Sequence, residues 1–528
     1  MKRRTFLKGA IATAILPRPA SAQGKSPARV LKFVPAGDLT IVDPVVTTDY
    51  ITRNHALMIW DQLYGLDSNL RPQPQMVEGH TVEEDGKRWT FKLRPGLRFH
   101  DGEPVRGRDC VASIQRWAAR DSLGQALMHR VAEMSTPEDR VFVIQLHRPF
   151  SLLLDALAKG GTPTLCIMPE RLASADPYQP IKEIVGSGPF QWVADERLVG
   201  ARVVYARYAD YRPREGGAAD FLSGPKVVNF DRIVWLTMPD SGAALTALQT
   251  GEVDWWQAPP NDLLPALERA RNVVTERIFT HGLMGTGVFN CLHPPFDKAA
   301  VRRVVLQAMS QEDYCIALAG TDRTLWRDGT GIFTPGTPMA SNAGLEVLAR
   351  KRDLSQLRAT LRDAGYQDER VVLMAAGDIP TNAAHGEIGN DLLRRLGMNV
   401  DYVVSDWGTL IQRRAKKEPP SQGGWNMFHT NWPGGDMIHP VSMQVLRANG
   451  DKAWFGWPDL PQLQKLVELW TDAPDLATQQ RIAAEIQQEA LKQVPFLPLG
   501  QFFGKTAHRR EIEGLVKGVV AFWNVRRT

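Results

Sequence analysis

Cysteine is scarce in this chain and follows no pattern. The 528 residues contain 4 cysteines, Cys110, Cys166, Cys291 and Cys315, with no Cys-x-x-Cys pair and no zinc-type spacing. Four cysteines allow three complete pairings, and the sequence does not choose among them. If one pair forms, Cys291–Cys315 is the candidate, while Cys110 sits among apolar helix positions and is expected to be simply buried. Long apolar runs are missing too: beyond the N-terminus no uninterrupted stretch reaches the ~18 residues that a spanning helix needs. There is no Gly-x-Ser-x-Gly elbow and no His-Glu-x-x-His pair, so the nucleophile–base and metalloprotease patterns are absent. The 11 histidines are scattered. No Lys/Arg block is interleaved with aromatics, which argues against nucleic acid as a partner.

An excess of one charge sign is also missing once the N-terminus is set aside. Arg3-Arg4-Thr5-Phe6-Leu7-Lys8 matches a twin-arginine export motif. A mild apolar run follows, and Ala20-Ser21-Ala22 offers small residues for cleavage, so residues 1–22 are expected to be a signal peptide. No cysteine follows that site, so no lipid anchor is expected. Lys2, Arg3, Arg4, Lys8 and Arg18 account for the whole formal net charge of +5, and the remainder is balanced. About 506 residues are left, too many for one core and suited to two or three domains.

The most informative stretch runs from Trp89 to Trp117. Trp89, Phe91 and Leu93 alternate with polar residues as in a strand, and Pro95-Gly96 interrupts it. Leu97 to His100 predicts a second short strand, closed by the turn pair Asp101-Gly102. Val111, Ile114, Trp117 and Ala118 then line one face of a helix. The whole stretch resembles the signature of the extracellular solute-binding proteins of peptide- and nickel-type ABC importers (family 5, similar to dipeptide- and oligopeptide-binding proteins). By that resemblance His100, Asp101 and Glu103 belong to a turn and a helix entry rather than to a catalytic cluster.

Further matches extend the resemblance over roughly residues 30–520. They include Asp43-Pro44 with Thr47-Thr48-Asp49-Tyr50, and Gly186-Ser187-Gly188-Pro189-Phe190. That glycine-rich turn runs into a strand rather than a helix, so it is not read as a phosphate loop. Others are Gly251-Glu252-Val253-Asp254, Val288-Phe289-Asn290 with Pro294 to Asp297, and Val494 to Leu499. The resemblance implies an α/β, two-lobed periplasmic-binding-protein fold of type II, with an extra subdomain, mixed sheets flanked by helices, and a hinge between lobes. The expected divisions are 23–70 for the first part of lobe I, 71–185 for the extra subdomain and 186–275 for the second part of lobe I. Residues 276–493 would form lobe II, and 494–528 would return to lobe I.

The residues themselves also predict a strand–helix–strand unit over 353–404. Leu354, Leu357 and Leu361 precede Gly365, Val371 to Ala375 form a strand, and Ile388, Leu392 and Leu396 form a helix ended by Gly397. Parallel strands with short links place a ligand at their carboxyl ends. That points to Asp406-Trp407 and to the tract from Trp425 to Asp436. By resemblance Trp407 and Trp432 supply flat ligand surface, Asp436 pairs with a ligand ammonium group, and Tyr50 contributes a ring from lobe I. Asn431 and Trp425 of the same tract are taken with them.

Relatives that bind dipeptides carry a carboxylate-binding arginine near the position of Asp378, so the expected solute is peptide-like or another small, or cationic, organic molecule. An alternative set for nickel or a metal chelate is His429, His439 and Asp436, whereas His293 reads as a loop histidine. The function implied is that of the periplasmic, monomeric solute-binding component of an ABC importer. It would need no catalytic residue and no cofactor, and its partner would be a permease in the inner membrane.

Overall fold

In the computed structural model, residues 29–349 and 353–528 are described, and the expected signal peptide lies outside them. Three sheets organise the chain. The first has seven strands, in the order Val273–Glu276, Thr506–Arg509, Trp255–Trp256, Val30–Val34, Arg232–Leu236, Arg202–Arg207 and Phe190–Trp192. The second has six, in the order Trp326–Arg327, Phe496–Phe502, Leu283–Phe289, Met427–Pro433, Arg370–Ala376 and Asn399–Ser405. A four-stranded antiparallel sheet, Val77–Glu83, Arg88–Leu93, Val141–Leu146 and Val131–Glu138, falls within residues 71–185, where an extra subdomain is expected.

The Trp89–Trp117 stretch lies in and beside that small sheet. Phe91 and Leu93 are fully buried while Lys92 between them is exposed, as a period of two requires. The second short strand expected at Leu97–His100 is reduced to a single bridge between Arg98 and Pro104. Pro104 has no N–H to extend a ladder, and Gly102 turns the chain with φ +88°. The helix Gly107–Ala118 follows, with Ile114, Trp117 and Ala118 buried along one face.

The chain passes between the two large sheets twice, after Glu276 and after Phe502. The second passage comes later than the sequence suggests. The stretch Val494–Leu499, the expected start of the 494–528 return to lobe I, falls largely in the strand Phe496–Phe502. That strand pairs instead with Leu283–Phe289 in the six-stranded sheet, and only Thr506–Arg509 rejoins the first sheet. All seven of its residues are buried. A strand covered on both faces shows no alternation that could say which sheet it joins.

Within the six-stranded sheet, Arg370–Ala376 runs parallel to both Asn399–Ser405 and Met427–Pro433. The helix Pro380–Arg395 makes the crossover, and Gly397 ends it with φ +83°. The carboxyl ends of these three strands meet the helix Tyr50–Ile59 of lobe I, nine of whose ten residues are buried. The four cysteines are free thiols, so the Cys291–Cys315 pair does not form. The Cys315 thiol instead lies beside the backbone oxygens of Arg327 and Leu499, and that of Cys291 beside Phe289.

Candidate functional site

Asp406 follows the strand Asn399–Ser405 and caps the helix Trp407–Arg413 by accepting the Thr409 N–H at 2.8 Å. The cap fixes Trp407 at the first helical position. Its backbone N–H donates to Asp378 at 2.7 Å, and its indole N–H donates across the cleft to Asp49 Oδ1 at 3.0 Å. Asp49 is itself the cap of the helix Tyr50–Ile59, accepting the Thr52 N–H at 3.1 Å on its other oxygen. One carboxylate thus starts a lobe I helix and holds a lobe II tryptophan.

Asn431 and Trp432 close the strand Met427–Pro433. Asn431 Nδ2 donates to Asn382 Oδ1 at 2.7 Å and to Thr381 Oγ1 at 3.3 Å, while its Oδ1 is buried and has no partner among the described residues. Trp432 donates from its indole N–H to Thr286 Oγ1 at 3.2 Å. Its ring stands edge-on to Tyr50, centroids 6.4 Å apart, and to Trp454 at 5.2 Å. Between these groups lies a cavity of about 170 Å³, walled from both lobes, with Tyr50, Arg53, Trp407, Arg414, Asn431 and Trp432 among its lining.

Four of the six expected contact residues therefore meet in one cavity: Tyr50, Trp407, Asn431 and Trp432. Asp436 lies just outside it, against a smaller adjoining cavity of about 70 Å³ that shares Arg53 and Pro433. Its Oδ2 accepts the Tyr50 hydroxyl at 2.5 Å, and a Cβ at Gly161 would run into its carboxylate. Burial, reinforced by the charge of Asp436, raises the Tyr50 phenol well above its ordinary range. Trp425 does not reach the cavity. It is completely buried, donates to the Arg414 carbonyl at 3.1 Å and packs on Phe428. It sits before the strand begins, under the helix that carries Trp407, and so belongs to the core.

Two arginines that carry no motif in the sequence also line the cavity. Arg53 is 3 % exposed and lies over the Tyr50 ring at 4.7 Å. Arg414 is 2 % exposed and is surrounded by Phe455 at 4.7 Å, Trp454 at 5.4 Å and Trp407 at 5.6 Å. Burial lowers both guanidinium pKa values, that of Arg414 to about 10. The available signal was Arg53 standing inside an otherwise core-like helix; Arg414 was hidden in a basic stretch that reads as solvated surface.

The metal alternative does not assemble. His429 packs against Tyr314 and His385, His439 against Trp470, and Asp436 against Tyr50. Among the described residues no three His, Cys, Asp or Glu side chains converge. His100 faces the Gly188 carbonyl at 3.1 Å, and Asp101 pairs with Arg171 at 2.9 Å, so both serve the turn. His293 lies against the Lys417 carbonyl at 2.7 Å.

The cavity thus lies at strand carboxyl ends between two lobes, in a fold with a third, small sheet. The profile described as bacterial extracellular solute-binding proteins, family 5 (middle), covers residues 71–454. The chain is a family 5 extracellular solute-binding protein.

Among relatives of this solute-binding protein, a Sinorhizobium fredii protein named a probable peptide ABC transporter periplasmic-binding protein is 34 % identical over 531 residues, 100 % of this chain and 99 % of that one. The Escherichia coli glutathione-binding protein GsiB is 25 % identical over 406 residues, 75 % of this chain and 73 % of that one. In fold it is similar to a Pseudoalteromonas dipeptide-binding protein solved with Met-Leu (TM-score 0.76, 19 % identity, covering 95 % and 100 %). A Staphylococcus aureus NikA solved with a nickel–histidine complex gives a TM-score of 0.74 at 14 % identity, covering 94 % and 99 %. Among the described residues no helix is long and apolar enough to cross a membrane.

Proposed function

We propose that this solute-binding protein captures a small peptide-like molecule between its lobes and delivers it to an ABC-type permease of the inner membrane. The observation that carries this reading is reciprocal. Trp407 of lobe II bonds to a carboxylate of lobe I, and Tyr50 of lobe I bonds to a carboxylate of lobe II, with the cavity between the two rings. Those bonds act as latches of the closed form. A solute that touches both walls adds affinity for the closed state only, which is how binding drives closure. No covalent step is needed. The name of the Sinorhizobium relative, similar over its whole length, supports peptide import as the setting.

In this reading the hinge lies at the two passages after Glu276 and Phe502, and residues 1–22 direct export through the twin-arginine route to the periplasm, where the protein acts as a monomer. The cavity, about 170 Å³, falls below the ~300 Å³ of typical ligand pockets and favours a dipeptide or something smaller. Native mass spectrometry of gently purified protein tests the proposal. One small organic molecule per chain is the expected result. A protein that retains only a divalent metal contradicts it.

A further inference from the structure

The arginine expected near residue 378 is absent, and Asp378 spends its carboxylate on the Trp407 backbone. Two other arginines, from different elements, face the same cavity. The polar groups lining that cavity show which hydrogen-bonding capacity is left over. Asp49, its one lining carboxylate, is engaged on both oxygens by Trp407 and Thr52. Lys505 is paired with Glu268 at 2.6 Å. The Arg53 guanidinium makes one bond, to Asn54 at 3.1 Å, and that of Arg414 makes one, to Thr48 Oγ1 at 3.2 Å.

Each Nε is buried without a partner, and among the described residues neither guanidinium forms an ion pair. Asp436 acts on Arg53, and Asp49 on both arginines, only through space. A guanidinium carries five N–H donors and no acceptor. Buried cations with unused donors are costly unless something accepts from them. For the charged groups on this cavity the unmet need is for acceptors.

Resting on the reading of this cavity as the solute site, we infer that the solute is a carboxylate whose acidic group is received by Arg53 and Arg414, in place of the arginine missing at 378. The bidentate fit of a guanidinium to a carboxylate makes this a specificity element as well as a source of affinity. Asn431 Oδ1, also buried without a partner among the described residues that line this cavity, accepts an N–H from the same solute. The rings of Trp407, Trp432 and Tyr50 cover the rest.

The test is calorimetric titration of the exported protein with amino acids and dipeptides, each as the free acid and as its carboxamide. The expected result is a free acid that binds about 10- to 100-fold more tightly than its amide, with that gap narrowed in Arg53→Met and Arg414→Met. Should either variant not fold, Arg53→Lys or Arg414→Lys keeps the charge and loses the fork, and a partial narrowing is expected. Acid and amide binding alike overturns the inference and leaves solute capture standing. A gap that both arginine variants retain overturns the assignment of these residues. If no panel member binds, the molecule retained in native mass spectrometry decides: an acid supports the inference and a molecule without an acidic group overturns it. Retention of no organic molecule overturns both this inference and the proposed function.

Discussion

The Trp407 indole donates to the Asp49 carboxylate at 3.0 Å, joining residues 358 positions apart in the chain and lying on opposite lobes. The bond is buried, and its acceptor also starts the helix that carries Tyr50 and Arg53. Trp407→Phe keeps the ring and removes the donor. A lost bond to a charged acceptor is worth about 1.5 kcal/mol or more, so solute affinity should fall roughly tenfold. The thermal midpoint of the solute-free protein should move little. Calorimetry and a melting scan check both halves.

Tyr50 and Asp436 form the second latch, and their coupling can be measured. Asp436→Ala should weaken solute binding at least about threefold, or ~0.65 kcal/mol. Tyr50→Phe should do the same, and the double variant should lose much less than the sum, because both remove one bond. A smaller loss in Asp436→Ala would take that residue out of the latch and of the site.

Gly161 packs directly on the Asp436 carboxylate, where no Cβ fits. Gly161→Ala should therefore push Asp436 off Tyr50 and favour the open form. Small-angle scattering with saturating solute should show a larger radius of gyration than the wild type gives under the same conditions. Identical curves would mean that the contact has no part in closure.

Acid should destabilise the fold before its carboxylates titrate. Burial lowers His55 and His429 to about 3 and His100 and His439 to about 4, from 6.5. The native state then binds fewer protons than the unfolded chain between pH 6.5 and 4, so stability rises with pH in that window. Full stabilisation is present above 6.5 and is lost as the pH falls toward 4 for His100 and His439 and toward 3 for His55 and His429. Urea midpoints at pH 7 and pH 5 should differ in that direction. Equal midpoints would mean that these imidazoles are not held neutral.

The fold was legible in the sequence where local chemistry decides it. The alternation through Phe91 and Leu93, the turn at Gly102 and the helix stop at Gly397 all stand where residue type alone places them. Phe496–Phe502 was not, because a strand buried on both faces carries no pattern naming its neighbours. The site divides in the same way. That Trp407 and Trp432 line one cavity was legible because strand ends in an α/β lobe predict where a ligand gathers. Arg414 could not, since its meaning comes from a partner far along the chain: it meets Thr48 across 366 positions, whereas Arg53 stood out only as a charge inside a buried helix. Trp425 misled for the converse reason, as a tryptophan in the right tract gives no sign of which way it faces.

A crystal structure of the protein purified with its natural ligand shows whether one solute is held between Tyr50, Trp407 and Trp432. The expected result is an organic molecule in that cavity, touching residues of both lobes, with the Trp407–Asp49 and Tyr50–Asp436 bonds in place. A bound molecule elsewhere on the chain, or one that contacts a single lobe and leaves this cavity filled only by water, would contradict it.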